Sequence, residues 1–177
     1  YPTQDETVDR DLIIGRNIIS NNKRIDPTKL GVFYHKIYDD NVATTLTSTG
    51  TSFTSTPSDK DMFENIPAGT YIFILSANVE VSANGIEGIL KVRTHTANTS
   101  LSGAADLTGG LRIHTGTDTT AHDSSAGTDS LQFMVDMQIV TLTENKDVHM
   151  QHKKQNSVVG SVEFSDINLV AILIGGS

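Results

Sequence analysis

Hydrophobic and polar positions alternate along most of this chain with a period of two, the repeat of an extended strand. The clearest run is Gly69 to Ser82, where Tyr71, Phe73, Leu75, Ala77, Val79 and Val81 share one face and Ile72 and Ile74 lie on the other. Ser130 to Thr143 alternates as well, with Leu131, Phe133, Val135, Met137 and Ile139 set against Gln132, Met134, Asp136 and Gln138. Shorter strands are predicted over Leu30 to Tyr38, Met62 to Ile66, Ile86 to Thr96, Gly110 to Thr115, Val148 to Lys153 and Gly160 to Phe164. Thr44 to Thr56 is rich in Thr and Ser and reads as a weak edge strand or a loop. Turn residues separate the runs, at Asp39 to Asn41, Pro57 to Asp59, Pro67 to Gly69 and Glu144 to Asp147. Asn84-Gly85 is a hairpin signal. Many short strands, and no convincing amphipathic helix, predict an all-β sandwich or barrel.

Two segments break the alternation. Leu169 to Ile174 is continuously apolar, whereas a strand with one wet face alternates. It therefore needs cover on both sides: the core on one, and on the other a subunit interface, the N-terminal segment or a loop. Residues 1–28 form that N-terminal segment and read as an arm ahead of a domain over 29–177. Tyr1 to Asp11 is polar; Leu12, Ile13 and Ile14, then Ile18 and Ile19, make two apolar clusters split by Gly15 and Arg16. The β-branched content and the glycine favour extended chain. Such a segment must dock on its own domain, a neighbouring subunit or a larger assembly.

Composition narrows the function classes. The 177 residues are 37% hydrophobic and 19% charged, enough for one domain with a core and too weakly charged for a disordered polyelectrolyte. The formal net charge is −8, with a pI near 5.0. Nucleic acid and anionic membrane are thus poor partners, since a duplex requires Lys and Arg to displace its counterions. The basic run Lys153-Lys154 beside His152 reads as a solvated strand end. No Cys is present, which excludes disulfides and thiolate metal sites. No stretch approaches the ~20 apolar residues of a membrane helix, and no signal peptide is visible.

Candidate chemistry is sparse. His149 and His152 are three apart and so face opposite sides of a strand, while His95 and His114 look isolated on Thr-rich segments and His122 lies in a loop. These histidines read as solvated or hydrogen-bonded, with an ion held on a symmetry axis as the minor alternative. Asp118, Asp123 and Asp129 lie in a Gly/Ala/Thr loop whose spacing does not match an EF-hand. Asn98-Thr99-Ser100 is formally a glycosylation acceptor. No G-x-S-x-G, phosphate loop or other nucleophile constellation occurs. The expectation is a protein with no catalytic, cofactor or metal residues.

Three motifs in order carry a family resemblance. They are Pro67-Ala68-Gly69-Thr70-Tyr71-Ile72-Phe73, Lys146-Asp147-Val148-His149-Met150, and Ser161-Val162-Glu163-Phe164-Ser165-Asp166 leading into Leu169 to Ile174. Over residues 30 to 175 the chain resembles the C1q/TNF-like jelly roll, whose corresponding motifs run P-G-x-Y-x-F, G-D-x-V-x-L and S-x-F-S-G. Ala68 is an insertion, Lys146 stands for Gly, and Asp166 stands for Gly. The resemblance implies a jelly-roll β-sandwich and a homotrimer, with Leu169, Val170, Ile172, Ile174, Tyr71 and Phe73 at the trimer interface. The acidic surface and the arm then suggest a virion surface protein. It would decorate or cement a capsid, its arm residues Leu12, Ile13, Ile14, Ile18 and Ile19 anchoring it to the major capsid protein or another virion protein. The alternative is an extracellular or tail-fibre head that binds a receptor or glycan.

Overall fold

A computed structural model describes residues 18–20, 23–25, 32–38, 45–56, 61–83, 85–97, 104–107, 110–115 and 132–175. Among these there is no helix. The strands are β1 (Ile18–Ser20), β2 (Lys23–Ile25), β3 (Phe33–Ile37), β4 (Leu46–Ser48), β5 (Thr54–Ser55), β6 (Phe63–Ile66), β7 (Gly69–Val81), β8 (Gly88–Thr96), β9 (Ala105–Asp106), β10 (Arg112–His114), β11 (Gln132–Leu142), β12 (Lys146–Lys154) and β13 (Val162–Gly175). The first sheet runs β11-β7-β13-β3, with β4 also on β13. The second runs β10-β8-β12-β5, with β6 also on β12 and β9 on β8. All pairings are antiparallel. The two sheets face each other as a jelly-roll sandwich. β1 and β2 form a separate two-stranded ladder, Ile18 opposite Ile25.

The core comes from the inner faces. β7 alternates as its sequence predicts: Tyr71, Phe73, Leu75, Ala77 and Val79 are buried, and Ile72 and Ile74 point the other way. Opposite them stand Leu90 and Val92 of β8 and Val148 and Met150 of β12. Tyr71 packs its ring near Tyr34 and Phe73 and donates its hydroxyl to the Pro67 carbonyl at 2.8 Å. This buries a large apolar body without orphaning its polar tip.

The final strand differs from the sequence reading, which split it in two. β13 is continuous, with one extra residue between Ser165 and Asn168. Before this bulge the even residues Val162 and Phe164 face the core; after it the odd residues Leu169, Ala171 and Leu173 do. The bulge thus flips the strand's phase so that apolar residues keep reaching inward. Asp166 takes the left-handed backbone this needs, φ 46°, a conformation Asp tolerates better than most residues. Its carboxylate accepts from Asn78 Nδ2 at 2.6 Å.

Asn84 lies outside the described residues, but β7 and β8 on either side of it do not pair as a hairpin. β7 and β8 belong to opposite sheets, so the turn is a corner that carries the chain across the core. Gly85 supplies positive φ (75°) there, which serves a corner as well as a hairpin. Beyond it the sheets approach closely: a Cβ on Gly88 would lie 2.5 Å from Val162 Cγ2. We expect Gly88→Ala to destabilise the fold by about 1–3 kcal/mol through overpacking, read as a lower urea midpoint. Val162→Ala should recover part of that loss in the double variant. Additive losses would contradict the contact.

Candidate functional site

The outer face of the first sheet is the feature that the core does not explain. β11 is strongly alternating, and such a strand ordinarily turns its apolar side inward. Here the phase is reversed. Phe133, Val135, Met137 and Ile139 face outward, Phe133 69% and Ile139 66% exposed. The inward positions in the same stretch are Met134, Asp136 and Gln138, followed by Val140 and Leu142. Asp136 is used there to accept the Arg112 backbone N–H at 2.9 Å.

Register aligns the exposed residues across four strands. Ile139 lies opposite Ile72, Ile72 opposite Ile172, and Ile172 opposite Phe33. The next row is Met137, Ile74, Val170 and His35, and the one after it Val135, Ser76, Asn168 and Ile37. Polar pairs close both ends. Thr70 and Thr141 hydroxyls meet at 3.0 Å, and Asn78 bonds Asp166. An apolar centre with a polar rim is the anatomy of an association surface. The largest apolar patch on a typical monomer is ~300–600 Å². Phe33, Ile37, Phe133, Val135, Met137, Ile139 and Ile174 are all at least two-fifths exposed, and together they reach that scale. No described residue covers them.

The interface residues expected from sequence divide by parity. Val170, Ile172 and Ile174 lie on this outer face. Tyr71, Phe73 and Leu169 do not: each is 0% exposed and points into the sandwich, so they hold the core and offer nothing to a neighbour. Conversely, Phe33 and the outer residues of β11 were not singled out. Of the arm, Ile18 and Ile19 are on β1, while Leu12, Ile13 and Ile14 lie outside the described residues. So do His122, Asp118, Asp123, Asp129 and the Asn98 triplet.

On the second sheet, the reading of His152 and Lys154 as a solvated strand end is corrected. Both are buried. His152 faces inward, its Nδ1 2.6 Å from Ser48 Oγ on β4, which ties one sheet to the other. Lys154 Nζ donates to the Val158 and Gly160 carbonyls. Lys153 lies over the Phe53 ring, 4.6 Å from its centroid, with Lys91 at 4.0 Å. His114 is half exposed beside Glu87.

His95 is not isolated either. It is 2% exposed, its ring centroid is 5.4 Å from that of His149, and its Nε2 is 3.5 Å from Asp61 Oδ2. Sequence separation hid this cluster, since only the β8–β12 register brings His95 to His149. Burial pushes the Asp61 carboxyl up to about 6, against an opposing pull from His95. Burial, with His95 and Arg93 nearby, pulls His149 down to about 4. Asp61, His95 and His149 are the described residues that could hold a metal.

No protein-family model and no curated protein sequence matches the chain. Among solved structures it is similar to Eiger TNF from S. frugiperda, with 7% identity over 84% of this chain and 95% of that one, at a TM-score of 0.54. A xylan-binding module, CBM15, gives 11% identity over 83% and 93% at a TM-score of 0.39. The first likeness, at 7% identity, bears on fold alone, and the second superposes too loosely to bear on anything. The class is therefore an all-β, TNF-like jelly-roll sandwich.

One electrostatic consequence follows from His152. Burial holds its pKa below the ordinary 6.5, so the folded state resists a proton that the unfolded chain accepts. This contribution is silent above pH 6.5 and costs stability as the pH falls below it. We expect the melting temperature to drop below pH 6.5, and His152→Gln to flatten part of that drop. An identical acid slope in wild type and variant would refute the assignment.

Proposed function

We propose that this chain is a structural and interaction protein, non-catalytic, whose unit is a homotrimer assembled through the outer face of the first sheet. The row Ile139, Ile72, Ile172 and Phe33 carries the reading, because it crosses every main strand of that sheet and is apolar throughout. A second copy of the chain is the occupant that this face fits best: an apolar centre whose acidic groups are kept to the rim suits self-association by burial. Three copies, and not two, are what the C1q/TNF-like resemblance implies. Burial drives the assembly at ~25 cal/mol per Å² of apolar surface, less the cost of association.

The finer reading is a virion surface protein that decorates or cements a capsid. The trimer would present three arms, whose Leu12, Ile13, Ile14, Ile18 and Ile19 clusters would bind the major capsid protein or another virion component. Multivalency multiplies weak arm contacts into stable attachment. A receptor- or glycan-binding head, virion-borne or extracellular, is the second reading. It is favoured by the open groove of the second sheet, where Phe53, Lys91, Lys153, Asp106 and Arg112 line one concavity.

Light scattering should return about three times the 19.1 kDa chain mass. Met137→Asp and Ile172→Asp should each yield a folded monomer, and Val159→Asp, on an exposed loop, should remain trimeric. A monomeric wild type would sink the trimer. Immunogold labelling of the source preparation separates the finer readings: even label over icosahedral shells supports decoration, and label at fibre tips or cell surfaces supports the recognition head.

A further inference from the structure

The outer face of the second sheet holds a buried cluster with unspent coordination capacity. Pairing of β8 with β12 sets Asp147 opposite His95 and His149 opposite Arg93, so Asp147, His149 and His95 project from the same face. His95 and His149 are diagonal neighbours and meet edge to face, 62° between ring planes. Asp61 reaches them from the segment ahead of β6. The peptide that follows it is held at both ends, since Lys36 Nζ donates to the Asp61 carbonyl at 2.6 Å and the Met62 N–H donates to the Val148 carbonyl at 2.7 Å.

Two independent observations point to a ligand. One ligand atom from each of Asp61, His95 and His149 lies within 4.8 Å of the others. In addition, Asp61 Oδ1 and both ring nitrogens of His95 and of His149 are buried with no hydrogen-bond partner. Buried polar atoms are almost always partnered, and each exception calls for a cause. A single ion takes one donor atom from each of these three side chains, all 94% or more buried, and so accounts for up to three of the five unpartnered atoms at once.

We propose that Asp61, His95 and His149 bind a divalent first-row transition ion of the zinc class. Two imidazoles and one carboxylate match zinc and disfavour calcium and magnesium, which take oxygen ligands. Zinc bonds of ~2.0–2.1 Å in a tetrahedron hold ligand atoms roughly 3.3 Å apart. The His95 Nε2 to Asp61 Oδ2 separation of 3.5 Å is close to this, and one ligand atom from each of the three side chains falls within 4.8 Å of the others. Asp147 is the orienting residue. Its Oδ2 lies 4.0 Å from His95 Nδ1, the ring nitrogen turned away from Asp61, and its Oδ1 accepts the Asn65 N–H at 2.7 Å. A carboxylate behind a metal-bound imidazole fixes the ring and its tautomer. The ion staples the Asp61 segment onto β8 and β12; it is structural and independent of the trimer face.

The test uses tag-free, full-length protein stripped with EDTA and dialysed. Titration with zinc chloride should show one ion per chain and raise the melting temperature by several degrees. Cobalt(II) should give visible absorption from an ion held by imidazole and carboxylate, and calcium or magnesium should change nothing. His149→Leu and Asp61→Asn, checked for folding by circular dichroism, should each abolish stoichiometric binding. Asp147→Asn should weaken binding about 10–100-fold. No stoichiometric zinc binding by wild type would overturn the site, and so would binding that survives both ligand variants unchanged.

Discussion

A strand has two faces, and one chain supplies only one core. That constraint governs this molecule through the pairing of β7 with β13, which runs from Val81–Val162 to Thr70–Gly175. Pairing fixes parity: once Tyr71, Phe73 and Leu75 point inward beside Leu169, Ala171 and Leu173, Ile72, Ile74, Val170 and Ile172 must point outward. These two strands hold the centre of the first sheet and cannot be rotated to hide both sets. Their outer residues therefore need a cover that the described chain does not supply.

The bulge at Asp166 shows how tightly the parity is held. Without the extra residue, Leu169, Ala171 and Leu173 would continue the outward phase of Glu163 and Ser165, and the core would lose its largest contribution from β13. The motif that resembles the jelly-roll family has Gly where this chain has Asp166. The backbone explains the exchange, for the position requires positive φ, and Asp meets that requirement while its carboxylate binds Asn78 on the neighbouring strand. The departure from the motif is chemically a substitution within one conformational requirement.

The inner alternation of β7 and the two-sided apolar character of β13 were legible in the sequence, because both follow from period two alone. Three features were not. The phase of β11 was visible but its sense was not, since alternation tells which residues share a face and is silent on which face meets the core. Asn84-Gly85 announces positive φ without saying whether the strands it joins will pair; here they part into different sheets. The approach of His95 to Asp61 and His149 depends on the register of β8 with β12 and on the path of the segment before β6, neither of which any local pattern records. The misplacement of Tyr71, Phe73 and Leu169 has the same root: an apolar run identifies a two-faced strand, and parity decides which half belongs to the core.

The two outer faces answer the same constraint differently. On the second sheet the outward residues of β8 and β12 are polar apart from Ile89, and most of them pair with one another. Lys91 and Arg93 share Asp106, Arg93 also reaches Gln151, and Gln151 reaches Ser55. Much of that face is therefore paired within one chain, and among the described residues its unmet hydrogen-bonding capacity concentrates in the His95 cluster. On the first sheet the outward residues are apolar, and apolar groups gain nothing from one another while water still covers them. A polar face closes by internal pairing and an apolar face closes only by burial, so the sheet that carries β11, β7, β13 and β3 is the one that the proposed assembly would bury.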